Sequence, residues 1–356
     1  MSGDRSSRGA FTLDRPSRRR ALLPRLVALT EHHRSSCPGY RRLLRAIGHG
    51  PGRSYTDVEQ LPWLPARLFK EHVLRSVPED EVFHVLHSSG TTGSASRIHL
   101  DRTAAAAQQR ALAAALRQVL GTVRLPMLLV DSQATLTGGT AVSTRAAGLL
   151  GVMNFGRSHV FALDERGRLD RRAVDGFLTR HGRSPFLIFG FTYLVWQHLY
   201  AHGGSLDLCQ GTLLHSGGWK TLARDAVDNV VFRARLGERT GLRRIHNFYG
   251  MAEQMGTIFL EGPVGGSLYC PDFADVIIRD PETWDPAPVG RQGLIQVVTT
   301  VASAHPGHLV LTEDLGVLLG VDDGEWPGPR FTVGGRLPQA LPRGCGDPVR
   351  ESGKAW

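Results

Sequence analysis

Short apolar runs that end in polar or glycine-rich segments alternate with helical patterns through the middle of the chain. Residues 126–131 and 186–190 form two of these runs, and a third leads from Leu213 into a His-Ser-Gly-Gly segment. Before the first run, residues 104–120 are rich in helix formers, and the glycine that follows them suits a helix C-terminus. A further helix is expected from about residue 192 to 202. Strands that alternate with helices in this way predict an α/β core with substantial parallel sheet.

The ends of these predicted strands indicate where a ligand would bind. Ligands of open parallel sheets gather at the carboxyl ends of the strands. Ser88, Asp131, Gly190 and Gly217 each follow or end an apolar run, so we expect all of them at that edge of the sheet.

The pattern changes after about residue 267, where short β segments replace the alternation. Three of these segments cover residues 294–301, 309–311 and 316–321. They predict a β-rich subdomain, with an acidic turn around Asp314 between the second and third segments.

Both ends of the chain are expected to differ from this core. Residues 1–17 are polar and are expected to be disordered. Leu22 and Leu26 then begin an amphipathic helical pattern. We expect the core domain to cover residues 18–310 and a short C-terminal segment to cover residues 311–356.

Composition narrows the class of protein. The chain has 356 residues, of which 41% are hydrophobic and 21% charged, as in ordinary globular proteins. No apolar run approaches the ~20 residues that a membrane span needs, so a cytoplasmic protein is expected. The formal charge of +9 comes from arginines spread along the chain, and no nucleic-acid partner is expected.

The four cysteines of the chain lie far apart and form no Cys-x-x-Cys pair. Neither a disulfide framework nor a structural zinc site is predicted from such spacing. Cys209 and Cys270 are expected to be structural, whereas Cys345 lies between two glycines near the end of the chain.

A loop rich in glycine and hydroxyl side chains follows the apolar residues 82–86. It consists of Ser88, Ser89, Gly90, Thr91, Thr92 and Gly93. Adjacent backbone amides and hydroxyls of such a loop bind an anion, and glycine lets the backbone approach it closely. The loop lacks the Gly-Lys-Ser/Thr of a Walker motif. It predicts a nucleotide phosphate site, with a Ser/Thr-rich turn between strands as the alternative.

Four further segments occur in a fixed order after this loop. They are the His-Ser-Gly-Gly loop at residues 215–218, the Tyr-Gly-x-x-Glu turn at 249–253, the Thr-x-Asp segment at 312–314 and the Gly-Arg pair at 335–336. With the phosphate loop they resemble the motifs of the adenylate-forming enzymes, which join a carboxylate to AMP. The resemblance implies the large domain of that superfamily, with parallel-sheet subdomains and a β-rich subdomain.

Three features narrow the resemblance to the LuxE-like acyl-protein synthetases. Residues 61–70 are similar to the family's Pro-x-x-Pro-x-x-x-Phe-Lys element, and Ser96-Arg97-Ile98 fits its Ser-Lys/Arg-Ile ending. The tail cysteine, Cys345, stands eleven residues from the end, like the family's acyl-accepting cysteine. The match covers most of residues 40–347. Only 20 residues follow Arg336, so the full mobile C-terminal domain of the larger ligases is expected to be absent.

The resemblance implies that ATP and Mg²⁺ are bound. It assigns phosphate contacts to the whole loop from Ser88 to Gly93, joined by Arg97, and makes Glu253 and Thr92 the ligands of Mg²⁺. It also implies that Asp314 contacts the ribose hydroxyls and that Arg336 contacts the ribose or the α-phosphate. The residues that it implies for the adenine pocket are Gly217, Gly218, Tyr249 and Gly250.

The implied reaction is ATP-dependent activation of a carboxylic acid to an acyl adenylate, with pyrophosphate released. Cys345 would then take the acyl group and pass it to a partner such as an acyl reductase, so that Glu253, Arg336 and Cys345 are the catalytic residues. Direct transfer to an amine, a carrier-protein thiol or CoA is the alternative, and a non-catalytic nucleotide-binding subunit is a second one. The sequence leaves open the acid, the acceptor and the oligomeric state.

Each implied residue has a structural alternative. Glu253 alone would suit a surface helix, Asp314 a turn and Arg336 a solvated loop. Cys345 is either the nucleophile or an incidental tail cysteine. Lys220 is either a contact to the substrate carboxylate or a surface charge.

Overall fold

The computed structural model describes residues 9–87, 95–137 and 143–337, which divide into two compact units. Unit 1 combines residues 9–85, 96–121 and 250–337. Unit 2 combines residues 86–87, 95, 122–137 and 143–249. The expected boundary near residue 310 falls inside unit 1.

The helices are numbered in chain order. They are α1 Arg15–Ser36, α2 Pro38–Ala46, α3 Leu68–Glu71, α4 Arg102–Leu120, α5 Ala134–Thr137, α6 Thr144–Met153, α7 Arg171–His181, α8 Thr192–Val195 and α9 Asn229–Thr240. Shorter helical turns cover Val58–Gln60, Lys220–Asp225 and Ala252–Gln254, and a π-helical stretch, Trp196–Ala201, continues α8. Within the described ranges, no helix combines the length and apolar character that crossing a bilayer requires.

The strands follow the same numbering. They are β1 Leu64–Pro65, β2 His84–His87, β3 Arg97–Leu100, β4 Leu125–Ser132, β5 Gly156–Leu163, β6 Phe186–Phe191, β7 Gly211–Ser216, β8 Arg244–Tyr249, β9 Phe259–Glu261, β10 Leu268–Tyr269, β11 Ala274–Arg279, β12 Gln292–Thr299, β13 Leu309–Val321 and β14 Pro329–Arg336.

Aspartate caps explain where several helices begin. The side chain of Asp101 accepts a hydrogen bond from the main-chain N–H of Ala104 at 2.6 Å, which satisfies one of the unpaired amides of the first turn of α4. Asp170 and Asp228 cap α7 and α9 in the same way. The predicted helix over residues 104–120 is therefore confirmed, with a start two residues earlier.

Unit 2 contains a parallel sheet in the strand order β5-β4-β6-β7-β8. Because all of its strands run the same way, their carboxyl ends meet at one edge. Asp131, Phe191, Ser216 and Tyr249 lie at or next to these ends. The predicted α/β core with parallel sheet is confirmed. Buried side chains of its strands pack against those of α7 and α9 in one hydrophobic core.

Unit 1 contains a mainly antiparallel sheet in the strand order β11-β12-β13-β14-β10-β9, with β1 added in parallel to β13. The predicted separate segments at 309–311 and 316–321 are one strand, β13. A Cβ at Gly316 would lie 2.7 Å from both Ile295 Cγ1 and the carbonyl oxygen of Thr332, so glycine serves close packing rather than a turn. The expected acidic turn is therefore wrong, and Asp314 lies inside the strand.

The N-terminal residues that the structure describes are ordered. Asp14 caps α1 by accepting from the N–H of Ser17 at 2.8 Å, and Phe11 is already buried. Leu22 and Leu26 pack into a core with the turn at Val58. The expectation of disorder up to residue 17 is thus wrong for residues 9–17, because a helix cap and buried side chains hold them on unit 1.

Candidate functional site

Glu253 is a buried carboxylate in unit 1. It lies in the turn Ala252–Gln254, and only 2% of its surface is exposed. The hydroxyl of Ser96, itself fully buried, donates a hydrogen bond of 2.7 Å to Glu253 Oε1. A charge in such a position needs hydrogen bonds to offset the loss of water. The sequence predicted Glu253 from the Tyr-Gly-x-x-Glu turn but did not predict its partner.

The main chain of Glu253 is also held in place. His305 Nε2 lies 2.8 Å from the carbonyl oxygen of Glu253, and because a carbonyl can only accept, Nε2 carries the proton. Burial lowers the pKa of His305 to about 4, which keeps the ring neutral. Gln254 Nε2 donates to the carbonyl oxygens of Val297 and Gly307.

Asp314 and Arg336 form an ion pair between neighbouring strands of unit 1. They are directly opposite in the register of β13 and β14, and Arg336 Nε lies 3.0 Å from Asp314 Oδ1. Arg336 Nη2 also lies 3.3 Å from Glu313 Oε2. Each member of the first pair is 23% exposed, so the pair remains accessible from solvent. The structure therefore brings together two residues that the sequence assigned to the same nucleotide.

Gly217 and Tyr249 lie at adjacent strand ends in unit 2. Gly217 directly follows β7 and has φ +87°, a conformation that L side chains rarely adopt. Tyr249 is the last residue of β8, which pairs with β7, and is partly buried. Among the described residues, no atom lies within 4 Å of the place that a Cβ on Gly218 would take, so they leave room for a flat ring to approach its backbone.

An ion pair that the sequence did not assign to the site lies at the carboxyl end of β4. Asp131 is completely buried and accepts from Arg145 Nε at 2.8 Å and from Nη2 at 2.6 Å. It also accepts from the Thr135 hydroxyl at 2.6 Å. Arg145 Nη1 donates to the hydroxyl oxygen of Tyr193 at 3.2 Å. The signal in the sequence was a polar residue at the end of a buried strand, at the edge where ligands bind.

Two buried histidines of unit 2 are uncharged. His215 Nδ1 lies 3.0 Å from the hydroxyl of Thr192, and burial lowers the pKa of His215 to about 3. Burial likewise lowers the pKa of His198 to about 4. These rings therefore add no positive charge near the strand ends.

Several predicted residues lie outside the described part of the chain. They are the phosphate loop from Ser88 to Gly93, including the predicted metal ligand Thr92, and the tail cysteine, Cys345. Arg97 begins β3 and is exposed. The side chain of Lys220 also lies outside the described atoms.

The described cysteines differ in exposure. Cys270 is buried, and burial raises the pKa of its thiol. Cys209 lies just before β7 and is exposed, which does not fit the expected structural role of a buried thiol. Because Asp207 accepts a hydrogen bond from Cys209 and carries a negative charge, it raises the pKa of that thiol.

Comparison with known proteins shows a family and a fold. The model of the family described as acyl-protein synthetase, LuxE, matches residues 12–352. A long-chain-fatty-acid–luciferin-component ligase of Aliivibrio fischeri is 24% identical over 307 residues, covering 81% of this chain and 77% of the relative. The ligase of the same name from Vibrio harveyi is 24% identical over 346 residues, covering 91% of this chain and 86% of the relative.

A similar solved structure is that of 2-hydroxyisobutyryl-CoA ligase in the postadenylation state, in complex with 2-HIB-AMP. It superposes with a TM-score of 0.69 at 18% identity, covering 92% of this chain and 70% of that chain. This likeness confirms the fold predicted from the motifs, the large domain of an adenylate-forming ligase.

Proposed function

Because this chain belongs to the LuxE family of acyl-protein synthetases, and is therefore a ligase, we propose that it activates a carboxylic acid with ATP and transfers the acyl group to Cys345. The observation in the structure that supports this most directly is the buried Glu253 carboxylate, fixed through both its side chain and its main chain. A buried carboxylate that is held in one orientation is what a ligand of a nucleotide-bound cation requires. The alternative role of Glu253, a solvent-exposed residue on a surface helix, does not fit its burial.

The residues around Glu253 fit Mg²⁺. Magnesium prefers oxygen ligands and is commonly held by one or two carboxylates together with substrate phosphates and water. Phosphate oxygens of the nucleotide and water would therefore complete the set of ligands. Glu253 would hold the ion, joined by Thr92 of the phosphate loop. When bound, Mg²⁺ neutralises charge on the phosphates.

The ion pair of Asp314 and Arg336 fits the sugar and the α-phosphate of the nucleotide. A carboxylate accepts several hydrogen bonds, so Asp314 suits the two ribose hydroxyls, which donate. Its partner Arg336 supplies positive charge on the adjacent strand, 3.0 Å away. This pairing keeps both side chains oriented before the nucleotide arrives, which reduces the entropy lost on binding.

The strand ends of unit 2 fit the adenine ring. Gly217 and Gly218 offer backbone without side chains, and Tyr249 offers an aromatic ring at the next strand end. In the same proposal, the loop from Ser88 to Gly93 holds the β- and γ-phosphates, with Arg97 at its end, and Gly250 completes the turn that leads to Glu253.

The first step of the proposed reaction joins the acid to AMP. A carboxylate oxygen of the substrate attacks the α-phosphorus, the bond from that phosphorus to the bridging oxygen of the β-phosphate breaks, and pyrophosphate leaves with the electron pair. The protein contributes positioning and charge stabilisation, since phosphoryl chemistry of this type needs little covalent help.

The second step moves the acyl group to the protein. The thiolate of Cys345 attacks the acyl carbonyl, AMP leaves with the bonding electrons, and the proton lost by the thiol goes to solvent. The thioester is then available to a partner, for which we propose an acyl reductase in the cytoplasm. A carrier-protein thiol, an amine or CoA as direct acceptor is the alternative. A non-catalytic nucleotide-binding subunit is a second alternative, against which membership of a ligase family argues.

Intact-protein mass after incubation with ATP, Mg²⁺ and a mixed acid pool tests the proposal. We expect an acyl adduct on the wild type and on Cys209→Ala, a control that removes an exposed cysteine, and no adduct on Cys345→Ala. AMP release without an adduct would support direct transfer. ATP binding without pyrophosphate exchange for any acid would contradict catalysis altogether.

A further inference from the structure

Residues 64–69, which belong to the Pro-x-x-Pro-x-x-x-Phe-Lys element of the sequence, have no role in the nucleotide site described above. The side chains of Leu64, Ala66 and Phe69 are buried in unit 1, with at most 2% of their surface exposed. Buried apolar side chains of this kind do not bind a charged nucleotide themselves. Any contribution of this segment to the site therefore passes through the residues on which it packs.

The loop at residues 305–307 connects the two carboxylates of the proposed nucleotide site. On one side it packs against the main chain of Glu253. His305 Nε2 donates to the carbonyl oxygen of Glu253 at 2.8 Å, and a Cβ on Gly307 would collide with the same oxygen. On the other side the loop leads into β13, which carries Asp314. The position of this loop therefore affects both Glu253 and Asp314.

Residues 64–69 support the loop at both of its ends. The ring of Phe69 meets the ring of His305 edge-on, with the ring centres 6.0 Å apart and an angle of 85° between the planes. Beyond the loop, the N–H of Ala66 donates to the carbonyl oxygen of Leu311 at 2.9 Å, and β1 pairs with the same part of β13. One short segment thus contacts the histidine that holds Glu253 and the strand that carries the second carboxylate.

Strand β1 gives β13 a second neighbour just before Asp314. β14 pairs with β13 from Asp314 onward, whereas Val310 and Leu311 pair with β12 on one side and with β1 on the other. A strand with a neighbour on each side has its main-chain donors and acceptors satisfied. β1 therefore holds the start of β13 within the sheet.

Packing is the restraint on the ring of His305. The terminal torsion of a histidine side chain is broad and roughly two-fold, so rotamer preference alone does not direct Nε2 at one oxygen. A hydrogen bond to the other ring nitrogen commonly fixes such a ring. In the part of the chain that the structure describes, Nδ1 of His305 is buried without a hydrogen-bond partner. The edge contact with Phe69 supplies the restraint instead, since aromatic rings attract one another in this geometry.

We propose that Phe69 is a positioning residue of the metal site: it fixes the ring of His305, which holds the main chain of Glu253. This inference rests on the proposed function, in which Glu253 holds the Mg²⁺ of the nucleotide. It also gives the sequence element at residues 61–70 a role. The phenylalanine of the element supports the turn of Glu253, and its second proline, Pro65, lies in the strand that supports β13.

Titration calorimetry with ATP and pyrophosphate exchange, both over the same series of Mg²⁺ concentrations, test the proposal. Phe69→Leu removes the ring edge. It should raise the Mg²⁺ concentration for half-maximal exchange by about fivefold, less than the roughly 10–100-fold typical of residues that orient a metal ligand directly. The Mg²⁺ concentration at which ATP binding tightens should rise by the same factor.

The matched control is Phe11→Leu. Phe11 is another buried phenylalanine of unit 1, and its ring packs against that of Trp326. Both variants should lower the melting temperature, because each leaves a cavity in the core. Only Phe69→Leu should change the Mg²⁺ requirement.

A double-variant cycle tests the route through His305. His305→Gln keeps an N–H that can reach the carbonyl oxygen of Glu253 but removes the ring on which Phe69 packs. In this background Phe69→Leu should change the Mg²⁺ requirement by less than about twofold, because residues that act through one contact have non-additive effects. An effect as large as in the wild-type background would overturn the proposed route.

The outcomes separate this inference from the proposed function. Equal shifts of the Mg²⁺ requirement in Phe69→Leu and Phe11→Leu, or no shift in either, overturn the positioning role while adenylation stands. No exchange of the wild type with any acid overturns adenylation, and the calorimetric shift alone then decides this inference. ATP binding by the wild type that does not depend on Mg²⁺ overturns it. If Phe69→Leu fails to fold, Phe69→Met, whose flexible side chain fills irregular gaps, takes its place.

Discussion

The hydroxyl of Ser96 donates a 2.7 Å hydrogen bond to Oε1 of Glu253, although 157 residues separate the two in the chain. Ser96 stands three residues after the glycine that ends the predicted phosphate loop. The contact therefore joins the carboxylate proposed to hold Mg²⁺ to a residue that closely follows that loop in the sequence.

Glu253→Gln should lower the rate of ATP–pyrophosphate exchange by about 100-fold or more, because charge stabilisation by a metal ion is worth several kcal/mol. The amide oxygen of glutamine still accepts from Ser96, so the melting temperature should change little. The measurement is the exchange rate as a function of Mg²⁺ concentration. An unchanged requirement for Mg²⁺ would remove Glu253 from the metal site.

Ser96→Ala should raise the Mg²⁺ concentration needed for half-maximal exchange by about tenfold, since residues that orient a metal ligand typically contribute 10–100-fold. Ser96→Thr keeps the hydroxyl and should restore most of the loss. If alanine and threonine behave alike, the hydroxyl does not position Glu253.

Asp314→Asn should raise KM for ATP by about tenfold, because the amide nitrogen cannot accept from a ribose hydroxyl. The free energy of unfolding should fall by at most about 1 kcal/mol, since the pair with Arg336 is partly exposed. Glu313→Gln, which changes the other carboxylate beside Arg336, is the control and should alter KM less. Equal effects of the two changes would contradict a specific ribose contact.

Gly217→Ala should weaken nucleotide binding, because alanine at φ +87° is strained and its methyl group occupies the backbone face proposed for adenine. Gly167→Ala is the matched control, as its φ of +72° imposes a similar strain in a turn of the same unit. Both should lose about 1 kcal/mol of stability, but only the first should raise Kd for ATP. Titration calorimetry with ATP separates the two effects.

Unit 1 should lose stability as the pH falls below about 6.5. Burial lowers the pKa of His305 to about 4, that of His308 to about 3 and that of His33 well below its usual value. Between these values and 6.5 the unfolded chain binds protons that the folded chain does not, so acid favours unfolding. Each group contributes up to about 1.4 kcal/mol per pH unit in that window and nothing above it.

Urea unfolding midpoints at neutral and mildly acidic pH measure this dependence. His308→Gln removes one of the titrating groups while its amide can still bond to Thr30, whose hydroxyl lies 3.0 Å from His308 Nε2. The variant should show a smaller fall in stability on acidification. A dependence as steep as that of the wild type would assign the effect to other groups.

The sequence predicted the elements whose determinants are local. The run at 126–131 became β4 with one residue added at each end, and the helix over 104–120 gained two residues from its aspartate cap. The sequence interpretation placed an acidic turn around Asp314 between two segments, because the polar residues 312–314 interrupt the apolar pattern. In the fold the strand continues through them as β13, and the missing side chain of Gly316 makes room for Ile295.

The partners of the site residues could not be predicted, because they are distant in sequence. Nothing near Glu253 in the sequence indicates that Ser96 or His305 contacts it. The 15 histidines of the chain are spread along the sequence, so the sequence does not show that His33, His305 and His308 are all buried in unit 1. Asp131 was expected at the ligand-binding edge of the sheet. Its ion pair with Arg145, in the first turn of α6, could not be predicted, because the periodicity of strands and helices does not show which elements contact each other. The roles proposed for the phosphate loop and for Cys345 stay predictions.

The buried guanidinium of Arg18 has a consequence for how the chain is made. It donates to the carbonyl oxygens of Cys270, at 2.6 Å, and of Pro327, at 3.3 Å, so part of the packing of helix α1 forms only with residues that lie about 250–310 positions later in the sequence. At ribosomal speeds of about 5–20 residues per second, α1 waits on the order of tens of seconds for them. The parallel strands of unit 2, β4 to β8, lie between residues 125 and 249 and are therefore synthesised before α1 can complete these contacts.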